Sequence, residues 1–280
     1  MLRLLLILLL GTPFFSAGAD PVSPPPRLLV FLLAGQSNMA GRAPVETIDQ
    51  SPDPRLFVFH DDAWLAATEP LHRDKPRVAG VGPGLAFARA LLPHLPPDVT
   101  IGLVPAAFGG TRIAWWARDF DGEGQRWPDG STLYAHAVRE TRRALRDGRL
   151  AGILWNQGES DIASARADGG TAYRDALVTL VAHLREDLAA PDVPFVAATL
   201  GPWQEAHAPG LNAVLLSLPS IVSRTAVVDT LAPSLKGNLR AKVDDPIHYD
   251  ARSSRLLGEH YAEALRPLLQ PEGNSSIRAR

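Results

Sequence analysis

Between Leu29 and Ala34 the chain runs through apolar residues without a charge, and the run breaks at Gly35 into Gln36, Ser37 and Asn38. A short apolar run closed by glycine reads as a buried strand that ends in a tight turn. Val99 to Ala107, Leu150 to Trp155, Val193 to Leu200 and Thr225 to Asp229 repeat the pattern. Helical spacing fills the intervals: Leu85 to about Leu95, Ser131 to Arg146, Thr171 to Leu188, Pro209 to Leu218, and about Ala251 to Leu268. Buried strands alternating with helices predict a parallel sheet covered on both faces. The expectation is one α/β domain over residues 27–270, a three-layer α/β/α sandwich with roughly five strands. Two segments fit less cleanly. Leu56 to Phe59 and Ala63 to Leu65 flank His60-Asp-Asp62 and read as a small hairpin or extended excursion, and Ala232 to Asp250 reads as polar and irregular.

The chain ends read differently from its middle. Met1-Leu-Arg3, the apolar stretch Leu4 to Leu10 and Ala17-Gly-Ala19 have the anatomy of a secretory signal peptide over residues 1–19. The apolar stretch is short for a membrane span, so no membrane association is expected after cleavage. Residues 20–26 form a proline-rich lead-in, and residues 271–280 a polar tail. A formal net charge of −2 gives no electrostatic case for nucleic acid or anionic membrane as partner. The absence of cysteine excludes disulfides, a thiol nucleophile and cysteine-ligated metal. Few histidines and scattered carboxylates make a poor metal site, and no cofactor is expected.

In a parallel sheet the strand ends open on one edge, where ligands bind. Ser37 follows the first strand, Gly109-Gly110 the second, and Gln157-Gly-Glu159 the third, while Asp245-Pro-Ile-His248 precedes the last helix. Ser37 is read either as a helix cap or as a nucleophile, which needs a neighbouring base. Among the eight histidines, His72 and His94 lie in surface-like contexts and His136, His183 and His260 on helices. His60 and His207 lie in loops. His248 is the candidate base, because Asp245 (or Asp244) can reach its Nδ1 and leave Nε2 toward the serine. The backbone N–H of Ser37, that of Gly110 or Gly109, and the Gln157 amide are candidate oxyanion donors. Glu159 and Asp161 read as loop-holding carboxylates. No G-x-S-x-G elbow is present, which disfavours the usual α/β-hydrolase arrangement.

Gly35-Gln-Ser-Asn-Met39, Gly109-Gly-Thr111, Trp155-Asn-Gln-Gly-Glu-Ser-Asp161 and Asp245-x-x-His248, in that order, resemble the sialate O-acetylesterase-like carbohydrate esterases, which include acetylxylan esterases, of the SGNH hydrolase superfamily. Gly80-Val-Gly-Pro-Gly-Leu85 fits that group's helix entry. The resemblance implies a flavodoxin-like SGNH fold and a metal-independent serine esterase that removes acetyl groups from sugars. It maps Ser37 as nucleophile, His248 as base and Asp245 as its orienter, with Ser37, Gly110 and Gln157 around the oxyanion. Gln36, Asn38, Gly109 and Glu159 would support the site or bind substrate. Arg112, Trp115 and Trp116 would form a sugar platform or, in the case of the tryptophans, belong to the core. The same apparatus could serve lipid or aryl esters, and a non-catalytic carbohydrate-binding protein is the remaining alternative. Oligomeric state is not encoded in these motifs.

Overall fold

The computed structural model of the chain describes Val22 and residues 27–269. The expected signal peptide, all of the lead-in but Val22, and the polar tail lie outside the described residues. The strands are β1 (Arg27–Gly35), β2 (Leu56–His60), β3 (Ala63–Ala66), β4 (Val99–Pro105), β5 (Gly148–Asn156), β6 (Phe195–Ala198) and β7 (Thr225–Val228), with a separate pair β8 (Ala241–Lys242) and β9 (Asp245–Tyr249). The α-helices are α1 (Ser37–Ala40), α2 (Pro83–Leu91), α3 (Leu133–Ala144), α4 (Ile162–Asp168), α5 (Thr171–Asp187), α6 (Pro209–Ile221), α7 (Pro233–Lys236) and α8 (Ala251–Leu265).

β1 to β7 form one sheet in the order β3-β2-β4-β1-β5-β6-β7. Every pairing in it is parallel except β2 with β3. The α/β sandwich is as expected, but the sheet has seven strands and not about five. The difference lies at one edge, where the Leu56–Ala66 excursion joins the sheet: β2 pairs with β4, and β3 returns along it as an antiparallel edge strand.

Side chains of β1 alternate between two apolar layers, as strand geometry requires. Leu28, Val30, Leu32 and Ala34 pack with α3, α5 and α6, whereas Leu29, Phe31 and Leu33 pack with α2 and α8. Helix starts follow local chemistry: Thr132 caps α3 by accepting from Ala135 N–H, and Asp250 caps α8 by accepting from Ser253 N–H. No helix among the described residues is long and apolar enough to cross a membrane.

β1 sits at the centre between β4 and β5. After β1 the chain crosses to the β2–β3 edge, and after β5 it runs toward β6 and β7. Their carboxyl ends therefore frame a crevice at the point where the strand order reverses.

Candidate active site

The turn after β1 is fixed by its backbone. Gly35 has φ +123°, and a Cβ placed on it would lie 2.2 Å from the carbonyl oxygen of Asn156. Only glycine fits both the torsion and the gap. Gln36 then donates its N–H to that same carbonyl at 2.8 Å, and Phe108 N–H donates to Gly35 O at 3.0 Å. The turn is thus tied to the ends of β5 and of the segment after β4. Gln36 takes the cap position of α1, so Ser37 is its first helical residue and does not cap it. The hydroxyl is available for another partner.

That partner comes from β9. Ser37 Oγ lies 2.9 Å from His248 Nε2, and His248 Nδ1 lies 2.8 Å from Asp245 Oδ2. Asp245 Oδ1 also accepts from the N–H groups of Ile247 and His248, and Lys242 Nζ stands 3.2 Å from Oδ2. Burial acts to raise the Asp245 pKa, but the hydrogen bonds from His248, Ile247 and Lys242 outweigh it and hold the carboxyl well below the usual range. Asp244 occupies the exposed turn at φ +59° and makes no bond to His248. His207 is exposed and away from the cavity.

A cavity of about 530 Å³ opens over Ser37, His248 and Asp245. Gln36, Gly109, Gly110 and Glu159 line it, as do Arg42, Lys75, Lys242, Val78 and Ile247. Gly109 N–H donates to Asp74 Oδ2 at 2.8 Å and is committed. Gly110 carries φ +76°, and its N–H, like that of Ser37, has no acceptor among the described residues. Ser37 and Gly110 both line the cavity.

Gln157 is placed differently from expectation. It is fully buried and does not line the cavity. Its Nε2 faces Asp161 Oδ2 at 2.6 Å, Thr111 O at 2.8 Å and Gln36 Oε1 at 3.1 Å. Two amide hydrogens meet three acceptors, so none is directed at an incoming substrate. Burial raises the Asp161 pKa, opposed by the hydrogen bonds from Gln157 and from Ile113 N–H.

Asn38 and Glu159 lie beside His248. Asn38 Nδ2 donates to Ile247 O at 3.1 Å and to Glu159 Oε1, and Asn38 Oδ1 accepts from Tyr249 N–H at 3.3 Å. Burial raises the Glu159 pKa against the Asn38 hydrogen bond.

Arg112, Trp115 and Trp116, expected as a sugar platform or, for the tryptophans, as core, do not line the cavity. The 3₁₀ turn Ile113–Trp116 carries Trp116 inward, where it is fully buried and packs edge-to-face on Trp155 at 5.1 Å. Trp115 is half-buried against the same core, and Arg112 is exposed. His72, expected in a surface context, is buried, and its pKa falls to about 4, mainly by burial.

Sequence reasoning missed the ion pair Arg42–Asp74, at 2.6 Å with both side chains enclosed. Asp74 sits in the charged stretch His72-Arg-Asp-Lys75, which resembles surface, and no spacing rule links it to Arg42 or Gly109. Lys75 was missed for the same reason.

Comparison with known proteins agrees with this architecture. The family model described as carbohydrate esterase, sialic acid-specific acetylesterase matches residues 27–266. A probable carbohydrate esterase of Arabidopsis thaliana is 36% identical over 199 residues, covering 64% of this chain and 71% of the relative. An Arabidopsis thaliana crystal structure superposes with a TM-score of 0.71 at 29% identity, covering 88% of this chain and 100% of that one. NanS shares the fold at TM-score 0.67 and 19% identity, over 88% of this chain and 98% of its own. A carbohydrate acetylesterase from Xanthomonas citri does so at 0.61 and 20%, over 86% of this chain and 56% of that one. A family match spanning nearly all of the described residues, on a fold that these structures share, places the chain in the carbohydrate esterase family of sialic acid-specific acetylesterases.

Proposed function

We propose that the protein is an exported serine esterase that removes O-acetyl groups from carbohydrates through an acyl-enzyme. The observation that carries this reading is the relay from Ser37 Oγ through His248 to Asp245, at 2.9 and 2.8 Å. His248 Nε2 takes the Ser37 proton as Oγ attacks the acetyl carbonyl, and Asp245 holds the imidazole and balances its charge. The N–H groups of Ser37 and Gly110 receive the developing oxyanion. The sugar hydroxyl leaves with the proton from His248. Water, deprotonated by the same nitrogen, then releases acetate. Gln157 supports the hole from behind by fixing Gln36 and the Thr111 carbonyl.

The carbohydrate substrate is supported by the family and by relatives described as carbohydrate esterases. Export is supported by the first nineteen residues, and the amino terminus of the secreted form tests it: Asp20 is expected, and an intact Met1 refutes it. Acetate release from acetylated xylan, sialic acid and simple sugar acetates tests the activity. S37A is expected to abolish it, and unchanged turnover in the folded variant removes the mechanism. A strong preference for long acyl chains would move the substrate to lipid esters.

A further inference from the structure

The strand that carries the base is not part of the main sheet. Among the described residues β9 pairs only with β8, in a two-stranded ribbon, and no backbone ladder joins His248 to the turn that holds Ser37. Asn38, the residue after the nucleophile, supplies that link with its side chain. Its amide accepts from Tyr249 N–H and donates to Ile247 O, the two backbone groups flanking His248. A neighbouring strand would grip residue 248 by the same pair of groups. Lys242 Nζ to Arg42 O, at 3.3 Å, adds a weaker tie between ribbon and turn.

The grip works in one orientation of the amide. Flipped, Asn38 would present its oxygen to Ile247 O and its nitrogen to Tyr249 N–H. Glu159 decides between the two, because its Oε1 accepts the second Nδ2 hydrogen and would repel an oxygen there. Glu159 Oε2 is buried without a partner, so a proton on that oxygen leaves the accepting oxygen in place.

We infer that Asn38 and Glu159 are a positioning pair that holds the His248 backbone against the Ser37 turn, and that the rate depends on their hydrogen-bond pattern and not on a charge at Glu159. This rests on the reading of Ser37 and His248 as nucleophile and base. The pair touches neither the reacting carbonyl nor the transferred proton. It acts through the distance between Nε2 and Oγ, and a shift of about 1 Å in such a distance costs on the order of 10²-fold in rate.

The test compares N38A, N38D, E159A and E159Q by kcat and KM on a chromogenic acetate, together with the rate of Ser37 labelling by an organophosphate. N38D puts a carboxylate oxygen where Ile247 O and Glu159 Oε1 require a donor, and E159A removes the acceptor. Both are expected to lose about tenfold or more in kcat and in labelling rate, with KM within about threefold. E159Q keeps an accepting oxygen without charge and is expected to recover most of the loss seen in E159A. An E159Q loss equal to that of E159A overturns the inference in favour of the charge. So do N38D and E159A variants that keep both rates. A folded S37A that still turns over refutes the underlying mechanism instead.

Discussion

Gly35 and Asn156 approach so closely that the turn carrying Ser37 has no room for a methyl group: a Cβ on Gly35 would stand 2.2 Å from Asn156 O and 2.9 Å from Asn156 N. The contact joins β1 to β5 at their last residues, where the register pairs Gly35 with Asn156. G35A must therefore part the two strands as well as adopt φ +123°. A loss on the order of 2–4 kcal/mol is expected, with kcat down at least about tenfold because Ser37 moves with the turn. Thermal unfolding and acetate release check this, and a variant matching wild type in both would show that the strands separate freely.

The electrostatics of Asp245 set a second expectation. Its pKa is held below the usual carboxylate range, so folding favours the ionised form. The stability it contributes is present above the ordinary carboxylate pKa and lost only as pH falls through the depressed folded value. Loss of activity in mild acid should accordingly arise at a group other than Asp245. D245N is expected to lower kcat by about 10²–10⁴, since an amide no longer selects the Nδ1–H tautomer. A pH–rate profile of both proteins measures it.

Asp74 anchors the glycine loop from beneath. It pairs with Arg42 and accepts from Gly109 N–H, out of contact with water. D74A leaves the enclosed Arg42 charge unpaired and is expected to cost about 3–5 kcal/mol. G109A would place its methyl 2.2 Å from Arg42 Nη2, whereas at Gly110 the nearest atom is Lys75 Nζ at 3.7 Å. G109A should thus destabilise more than G110A, whose cost is backbone strain of roughly 1 kcal/mol. Denaturant unfolding of the three variants ranks them.

Gln157 separates support from direct donation. A direct oxyanion donor removed without other change costs about 10²–10³ in kcat and leaves the fold intact. In this structure Q157A also strips Asp161 of a hydrogen bond at 2.6 Å in a buried setting. The expected result is a fall in kcat accompanied by a lower thermal midpoint. An unchanged midpoint would show that Asp161 does not need the amide.

Glu69 gives a pH dependence of stability. Burial raises its pKa to about 8, so the folded chain holds a proton there that the unfolded chain releases. Stability contributed in this way is full below the ordinary carboxylate pKa and declines as pH rises toward 8. E69Q should flatten that decline between about pH 5 and 8, as read from thermal midpoints across the range.

The elements that could be read from the chain are those whose environment is uniform. The buried stretches of β1, β4 and β5 are largely apolar because helices cover both faces of the sheet. Ser37, His248 and Asp245 were legible because they sit at strand ends or within one turn of each other, where short-range spacing carries the geometry. The β2–β3 edge was harder to place: Leu56 to Phe59 announces a strand but not its partner, which β4 supplies only after the helix α2. The β8–β9 ribbon was illegible, since Val243 and Ile247 are exposed and its ties to the turn after β1 are side-chain hydrogen bonds from Asn38 and Lys242. Arg42 with Asp74, and Gln157 with Asp161, are polar contacts folded inward, and composition alone gives such residues a surface reading.

Ser37 and His248 are 211 residues apart, one at the end of the first strand and the other on the ribbon before the last helix. Contacts of such separation form late, after the intervening strands and helices have closed the loop between them. The turn after β1 and the ribbon can therefore close at different times, and Ser37 has no imidazole beside it until the ribbon docks. Turnover of a chromogenic acetate is therefore a reporter of finished folding, and its recovery after dilution from denaturant would time the docking of the carboxyl-terminal ribbon.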